Sequence, residues 1–221
     1  MKPLIIIGAG GFARELQWLL HELNRSAGRS PEENPNWHLL GFVDPVATGR
    51  IGGLPILGND EWVFRELDQA QVRFIVALGD LHLRRAIAER YTAQGFMAAR
   101  LKYPTAPVSE DLEMGPGTVI CAGAAITTNV KIGKFCLVNL NATIGHDCVI
   151  GDYVTLHPGA HISGRAQLGD GVEVGSGAVI LPNRIVGAGA VIGAGAVVTH
   201  DVPAGATYIG VPARPMNVSA D

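Results

Sequence analysis

The chain has 221 residues, 48% hydrophobic residues and a formal charge of −3, which predicts a globular protein of one large or two modest domains. This charge offers no basic surface for a nucleic acid, and the apolar runs fall short of the roughly 18 residues that span a bilayer. Three cysteines without a Cys-x-x-Cys spacing argue against a disulfide framework and a zinc knuckle. We therefore expect a soluble cytoplasmic protein.

The first hundred residues alternate strands with helices. A buried strand is predicted at Leu4–Gly8, and it runs into a G-x-G-x-x-A turn at Gly8–Ala13 that opens a helix. The remaining elements are a polar loop at Asn24–Asn36, a strand at Leu39–Asp44, a helix from Asn59 or Asp60 through Leu67, a strand at Phe74–Gly79 and a helix at Leu81–Gln94. Residues 1–101 are therefore predicted to form a small Rossmann-like α/β domain with three or four strands in a parallel sheet.

Ligands of such sheets bind beyond the carboxyl ends of the strands, which places the glycine turn, Asp44 and Gly79 around one crevice. The N–H groups of Gly8, Gly10 and Gly11 and the helix N-terminus suit a phosphate or diphosphate. Two alternatives remain open. The glycines could serve only to pack the helix on the strand, or they could bind NAD, for which the domain is small.

The second part of the chain is built on a six-residue period. An aliphatic residue or methionine recurs at every sixth position from Val108 to Val198, and a small or β-branched residue usually follows four positions later. Glycine, with 29 residues in the chain, often occupies the second position. This period is typical of hexapeptide β-helices, in which residues eighteen apart stack on successive coils. Residues 102–221 are therefore predicted to form an all-β parallel β-helix.

The hexads resemble the left-handed parallel β-helix acyltransferases, and together with the glycine turn they resemble the PglD and NeuD type of sugar acyltransferase. The resemblance implies a homotrimer that uses acetyl-CoA and a nucleotide-linked amino sugar. It assigns the glycine turn to the diphosphate and Asp44 to the nucleoside. The family often has a histidine where this chain has Phe12, which puts a side-chain contact at that position in doubt.

His146 lies at an outward-facing hexad position and is followed by Asp147. A neutral imidazole can accept a proton, and a carboxylate can fix its tautomer. The family resemblance implies that His146 is the catalytic base. Gly164 stacks above it, leaves room for a thioester and offers an N–H for an oxyanion. Arg165 stacks above Asp147, so that Asp147 either orients His146 or pairs with Arg165.

Other residues are candidates for contacts with CoA. His161 faces outward and is expected to contact CoA or substrate, and small residues such as Ala194 leave space for the pantetheine arm. The tail Gly210-Val211-Pro212-Ala213-Arg214 resembles that of CoA-dependent hexapeptide enzymes, which implies that Arg214 contacts CoA phosphates. The histidine spacing does not suit a metal, and no cysteine is paired with a base, so direct transfer is preferred over an acyl-enzyme.

The sequence therefore predicts an acetyl-CoA-dependent N-acetyltransferase of a UDP- or GDP-linked 4-amino sugar, acting in surface polysaccharide or glycan biosynthesis. Three alternatives stay open: an O-acetyltransferase of a sugar such as sialic acid, a non-catalytic trimer that binds sugar nucleotides, and a nicotinamide-dependent oxidoreductase.

Overall fold

The computed structural model describes residues 1–26 and 36–216. Its chain forms two compact units, Met1–Pro104 and a second unit that begins at Thr105. The predicted loop at Asn24–Asn36 falls mostly outside the described residues. The predicted boundary between residues 101 and 102 stays a prediction.

The first unit contains three helices and a six-stranded sheet among its described residues. Its elements are β1 (Lys2–Ile7), α1 (Gly11–Ser26), β2 (Trp37–Val43), β3 (Arg50–Ile51), β4 (Leu54–Gly58), α2 (Asp60–Glu66), β5 (Arg73–Val76), α3 (Leu81–Ala93), β6 (Met97–Ala98) and β7 (Leu101–Lys102). The order within the sheet is β3-β4-β2-β1-β5-β6, and all pairs are parallel except β3 with β4.

The helix starts follow from side-chain capping. The Asn59 side chain accepts a hydrogen bond from the N–H of Trp62, and Asp80 accepts one from Leu83, so both side chains satisfy amides that the helix itself leaves unpaired. Helix α3 stops before Gly95, whose φ of +86° suits glycine. The predicted Asp80 cap and the stop at Gly95 are confirmed, and Asn59 is the cap of α2.

The sheet is larger than the three or four strands expected, and it is mixed at one edge. The missed strands β3 and β4 form a hairpin around Gly52 and Gly53, and such a Gly-Gly pair between short apolar runs is itself a hairpin signal. The core of the sheet consists of β1, β2 and β5, in which Leu4, Phe42 and Phe74 are fully buried.

The second unit is built of short parallel strands. Its elements are β8 (Glu113–Met114), β9 (Val119–Ile120), β10 (Ala125–Ile126), β11 (Lys131–Ile132), β12 (Leu137–Val138), β13 (Thr143–Ile144), β14 (Val149–Ile150), β15 (Thr155–Leu156), β16 (His161–Ile162), β17 (Gln167–Leu168), β18 (Glu173–Val174), β19 (Val179–Ile180), β20 (Ile185–Val186), β21 (Val191–Ile192), β22 (Val197–Val198), β23 (Thr207–Ile209) and β24 (Arg214–Pro215).

Three sheets form the walls of this unit. Their strand orders are β10-β13-β16-β19-β22, β8-β11-β14-β17-β20 and β9-β12-β15-β18-β21, and the last wall continues into β23 and β24. Strands pair with partners eighteen residues away, as Thr143 does with His161. The predicted period, stacking and β-helix are therefore confirmed. Interior positions carry buried aliphatic residues and fully buried alanines such as Ala142 and Ala160.

Candidate active site

His146 and Asp147 lie at the corner between β13 and β14. The His146 side chain is 55% exposed, so its ring is accessible to a substrate. Its Nδ1 lies 2.8 Å from Oδ2 of Asp147. Because an ionised carboxylate can only accept, Nδ1–H is the donor and Nε2 carries the free lone pair. The second ring nitrogen is therefore the one available to take a proton.

Asp147 is held by neighbours on the coils before and after it. The Asn129 Nδ2–H donates to its Oδ1 at 2.7 Å, and the Arg165 Nε lies 3.8 Å from its Oδ2. Asp147 thus contacts both His146 and Arg165, the two roles that the sequence left as alternatives. The hydrogen bond from His146, and after it the one from Asn129, holds the pKa of the Asp147 carboxyl below its usual value.

This pKa shift predicts how Asp147 affects stability with pH. A lowered carboxyl pKa stabilises the fold above about pH 4 and loses that effect as the carboxylate is protonated in the folded state. We expect Asp147→Asn to lower the urea midpoint at pH 7, and the gap between the two proteins to narrow progressively as the pH falls below about 4. Equilibrium unfolding at a series of pH values from 7 down to 2 measures this. A gap that stays constant over the whole series would contradict it.

Gly164 lies against the His146 ring from the next coil. A Cβ at Gly164 would stand only 2.6 Å from Nε2 and 2.7 Å from Cε1 of His146. Every larger residue would therefore displace the ring. Within residues 1–26 and 36–216, the Gly164 N–H donates no hydrogen bond, whereas the Gly164 carbonyl accepts one from the N–H of Asn183. The Gly164 residue, whose N–H is unbonded in these ranges, thus packs closely against the imidazole ring.

The first unit carries a cavity of about 450 Å³ at the carboxyl ends of β1 and β2. Gly8 and Asp44 line it, as the crevice argument predicts. The Asp44 Oδ1 accepts hydrogen bonds from the N–H groups of Val46 and Ala47, which fixes the carboxylate in its loop. This volume lies in the range of small-molecule sites.

The other predicted residues of this crevice are not brought into that lining. Gly10, Gly11 and Gly79 lie outside the set of residues that line the cavity, and the Gly79 carbonyl accepts from Arg84. The amide of Gly8 is already bonded to the Val43 carbonyl. Helix α1, however, begins at Gly11 with no acidic residue in its first turn, so its N-terminal amides remain suited to an anion.

Each of the two units matches the model of a known protein family. The PglD N-terminal domain matches residues 3–91, and the bacterial transferase hexapeptide model matches residues 129–164 and 165–200. The acetyltransferase domain of PglB from Neisseria gonorrhoeae FA1090 is 33% identical, with 98% of this chain and 100% of that chain covered and a TM-score of 0.86. The chain belongs to the family of PglD-type sugar acetyltransferases. The predicted family and the left-handed β-helix fold class are thereby confirmed.

Two further relatives of this acetyltransferase family carry substrate names. PerB from Caulobacter crescentus, solved with CoA and GDP-perosamine, is 30% identical, with 98% of both chains covered and a TM-score of 0.84. The GDP-perosamine N-acetyltransferase of Escherichia coli O157:H7 is 37% identical over 131 residues, which is 59% of this chain and 56% of that relative. The PglB domain has also been solved with acetyl coenzyme A.

The remaining predicted residues of this family member lie at separate places on the second unit. The His161 Nδ1 lies 2.9 Å from the Thr143 hydroxyl, and its ring is exposed. Ala194 is exposed on a late coil, and Arg214 is exposed on β24. His157, on another corner, lies 4.0 Å from Glu173. The structure therefore does not bring these residues to the His146 corner by direct contact.

Three other kinds of feature bear on function in the described residues: reactive cysteines, metal ligands and membrane-spanning helices. All three cysteines are buried, and burial raises the pKa of the Cys148 thiol. Among the described residues, no cluster of histidine, cysteine or acidic side chains could hold a metal ion. Within the same ranges, no helix is long and apolar enough to cross a membrane.

Several lining residues of the cavity were missed from the sequence. Asp60, Glu61 and Arg90 all line it, and Asp60 is bound by Arg90 and by the Tyr91 hydroxyl, the latter at 2.9 Å. Burial, and after it the charge of Asp60, raises the pKa of Tyr91, which keeps the hydroxyl a donor. These residues come from α2 and α3, and no local motif marks them, because only the folded sheet brings the two helices to one cavity.

Proposed function

We propose that this chain transfers the acetyl group of acetyl-CoA to the amino group of a nucleotide-linked 4-amino sugar. The observation that carries the proposal is the imidazole of His146, which is fixed at Nδ1 by Asp147, leaves Nε2 free and packs closely against Gly164. Acetyl transfer to an amine needs a proton acceptor and an oxyanion donor at one place. Both groups are present at this corner.

The proposed reaction proceeds by direct attack. The sugar amine attacks the thioester carbonyl while Nε2 of His146 takes the amine proton, and the Gly164 N–H stabilises the oxyanion. Collapse of the tetrahedral intermediate breaks the carbon–sulfur bond, and CoA leaves as a thiolate, which can receive the proton held on His146. No cysteine needs to take part, in keeping with the burial of all three.

GDP is the nucleotide that we propose first. Both named GDP-perosamine relatives support it. The cavity of the first unit adds a physical reason, since Asp44 and Glu61 place carboxylates along it. Guanine offers two kinds of donor on one edge, a ring N–H and an amino group, and carboxylates accept from such donors. Uracil offers a single N–H, so guanine matches a cavity with two carboxylates better than uracil does.

The predicted homotrimer, the role in surface polysaccharide or glycan biosynthesis and the cytoplasmic location stay predictions. The trimer is supported by exposed aliphatic residues on one wall of the β-helix, since Val149 is 47% and Ile185 is 50% exposed. An association between copies would cover such a surface.

The proposed activity is tested by thiol release from acetyl-CoA. We expect release that depends on a GDP-linked 4-amino sugar and is absent with the matching 4-hydroxy sugar. Thermal-shift screening of GDP, UDP, dTDP and CMP identifies the nucleotide first. Binding of a nucleotide without thiol release from any of its amino sugars would overturn the enzymatic proposal, and release with the hydroxy sugar would favour O-acetylation.

Asp44 provides the test of the nucleotide cavity. We expect Asp44→Asn to raise the Kd of the nucleotide by about tenfold, because a hydrogen bond to a charged group is lost. The variant keeps the Oδ1 that caps Val46 and Ala47, so the loop is preserved. Asp68→Asn is the control, since Asp68 also caps a local turn and lies outside the cavity lining. Isothermal titration with GDP measures both, and equal Kd values would contradict the assignment.

A further inference from the structure

At one corner of the β-helix, residues with side chains adopt a backbone conformation that costs glycine less. Asn129, Asp147, Arg165 and Asn183 follow one another at intervals of eighteen residues, with φ between +55° and +61°. This left-handed conformation favours glycine, and Arg165 is an especially unfavourable residue there. At the equivalent places of the other two corners glycine predominates, and Phe135, Asn141 and Tyr153 are the exceptions. The glycines are Gly117, Gly123, Gly159, Gly171, Gly177, Gly189 and Gly195.

Within this column, Asn129 is joined to the catalytic pair by direct contact. Its Nδ2–H donates to Oδ1 of Asp147 at 2.7 Å, while Oδ2 of Asp147 accepts from His146 at 2.8 Å. Each carboxylate oxygen thus has its own partner. The carboxylate torsion of an aspartate is broad by itself, so the bond from Asn129 fixes the plane in which the carboxylate meets the imidazole.

The backbone of Asn129 is itself anchored. Its N–H donates to Oδ2 of Asp111, one coil earlier, at 2.7 Å. A continuous chain of hydrogen bonds therefore runs from Asp111 through Asn129 and Asp147 to His146. Arg165 lies 3.8 Å from Asp147 on the opposite side. Asp147 and Arg165 are the charged groups in contact with this end of the chain.

We infer that Asn129 is a positioning residue for the acetyl transfer. Its amide fixes the plane of the Asp147 carboxylate, and Asp147 in turn fixes the ring and the tautomer of His146. The inference rests on the proposed function of His146. A neutral amide suits this role because it donates to Asp147 without adding charge beside the imidazole. The lowered pKa of Asp147, in which Asn129 has a part, accords with this.

Two substitutions of Asn129 separate positioning from folding. Asn129→Gly removes the side-chain amide, and glycine adopts the left-handed backbone conformation without strain. Asn129→Asp keeps the shape and replaces the donor by an acceptor. Asn183→Gly and Asn183→Asp are the matched controls. Asn183 lies in the same column with a φ of +60°, close to the +55° of Asn129, and within the described part of the chain its side chain makes no hydrogen bond to Asp147. Melting temperature and CoA binding report whether each variant is folded.

We expect Asn129→Gly to lower kcat by about tenfold, because a hydrogen bond to a charged group is lost, with the KM of both substrates within twofold of wild type. In Asn129→Asp, a second carboxylate favours the protonated imidazole, so the acidic limb of the kcat/KM profile moves to higher pH. The Asn183 variants should keep the wild-type kcat and profile. An Asn129→Gly enzyme with the kcat of Asn183→Gly, or a change in KM alone, overturns the inference.

Failure of this inference is distinguishable from failure of the proposed function. An active wild type whose activity depends on His146, with unaltered Asn129 variants, overturns only the role of Asn129. A wild type without acetyl transfer to any amino sugar, or with full turnover in the absence of His146, overturns the proposed function itself.

Discussion

His146→Ala should lower kcat by a factor of about 10² to 10⁴, the usual contribution of a general base. The reason is geometric. The ring is fixed by a 2.8 Å hydrogen bond from Nδ1 to Asp147, so the variant loses a proton acceptor that is already oriented. Steady-state thiol release with acetyl-CoA and the amino sugar measures the loss. Because the imidazole is exposed at a corner and Asp147 keeps its hydrogen bond from Asn129, we expect the melting temperature to fall less than in Asp147→Asn.

A second histidine of the β-helix provides the control for this substitution. His200 is exposed, and its Nδ1 lies 2.9 Å from the hydroxyl of Thr199, outside the His146 corner. We expect His200→Ala to keep the wild-type kcat. Near-normal turnover in His146→Ala, at unchanged CoA binding, would refute the assignment of His146 as the base.

Gly164→Ala should lower kcat by about a hundredfold, the effect expected of an ångström-scale displacement of a reacting group. The added Cβ would stand 2.6 Å from Nε2 of His146, so a contact must give way. The backbone of Gly164 lies outside the left-handed region, which means that alanine strains it only through this contact. We expect the exposed ring to move, because a side chain at a corner yields more easily than the coil.

A double-mutant cycle tests that explanation. If Gly164→Ala acts by displacing His146, adding it to His146→Ala should change kcat no further, since the group that it displaces is gone. Losses that multiply would show that Gly164 acts through a second route, such as its N–H toward the oxyanion. Unchanged kcat in the single variant would contradict the close approach of the ring.

The β-helix was predictable because its signal repeats. A buried position recurs from Val108 to Val198 without a slip, and strands pair with partners eighteen residues away as this period requires. The α/β unit was less predictable. Its central strands are continuous apolar runs, whereas β4 contains Pro55 and partly exposed residues, so it pairs only because the Gly52-Gly53 turn and the edge of β2 position it.

The candidate site shows the same division. His146, Asp147 and Gly164 could be predicted as candidates, because a motif of the family that the chain resembles marks the first two and the coil period stacks Gly164 above His146. Asn129 has no such motif, since threonine and valine flank it and only its partner on the next coil gives it a role. The cavity residues from α2 and α3 were missed for a related reason, because they lie far apart in the chain.

The sequence by itself determined the two-part organisation, the β-helix and the helix caps, because each depends on spacing along the chain. The family resemblance added His146 as the candidate base. Only the tertiary structure decided that Asp147 contacts His146, Asn129 and Arg165 together, and that Asp44 shares a cavity with Arg90. Side-chain direction and distance across coils depend on backbone angles at the corners. The period specifies which residues stack, and the left-handed backbone at Asn129 and Asp147 determines where their side chains meet.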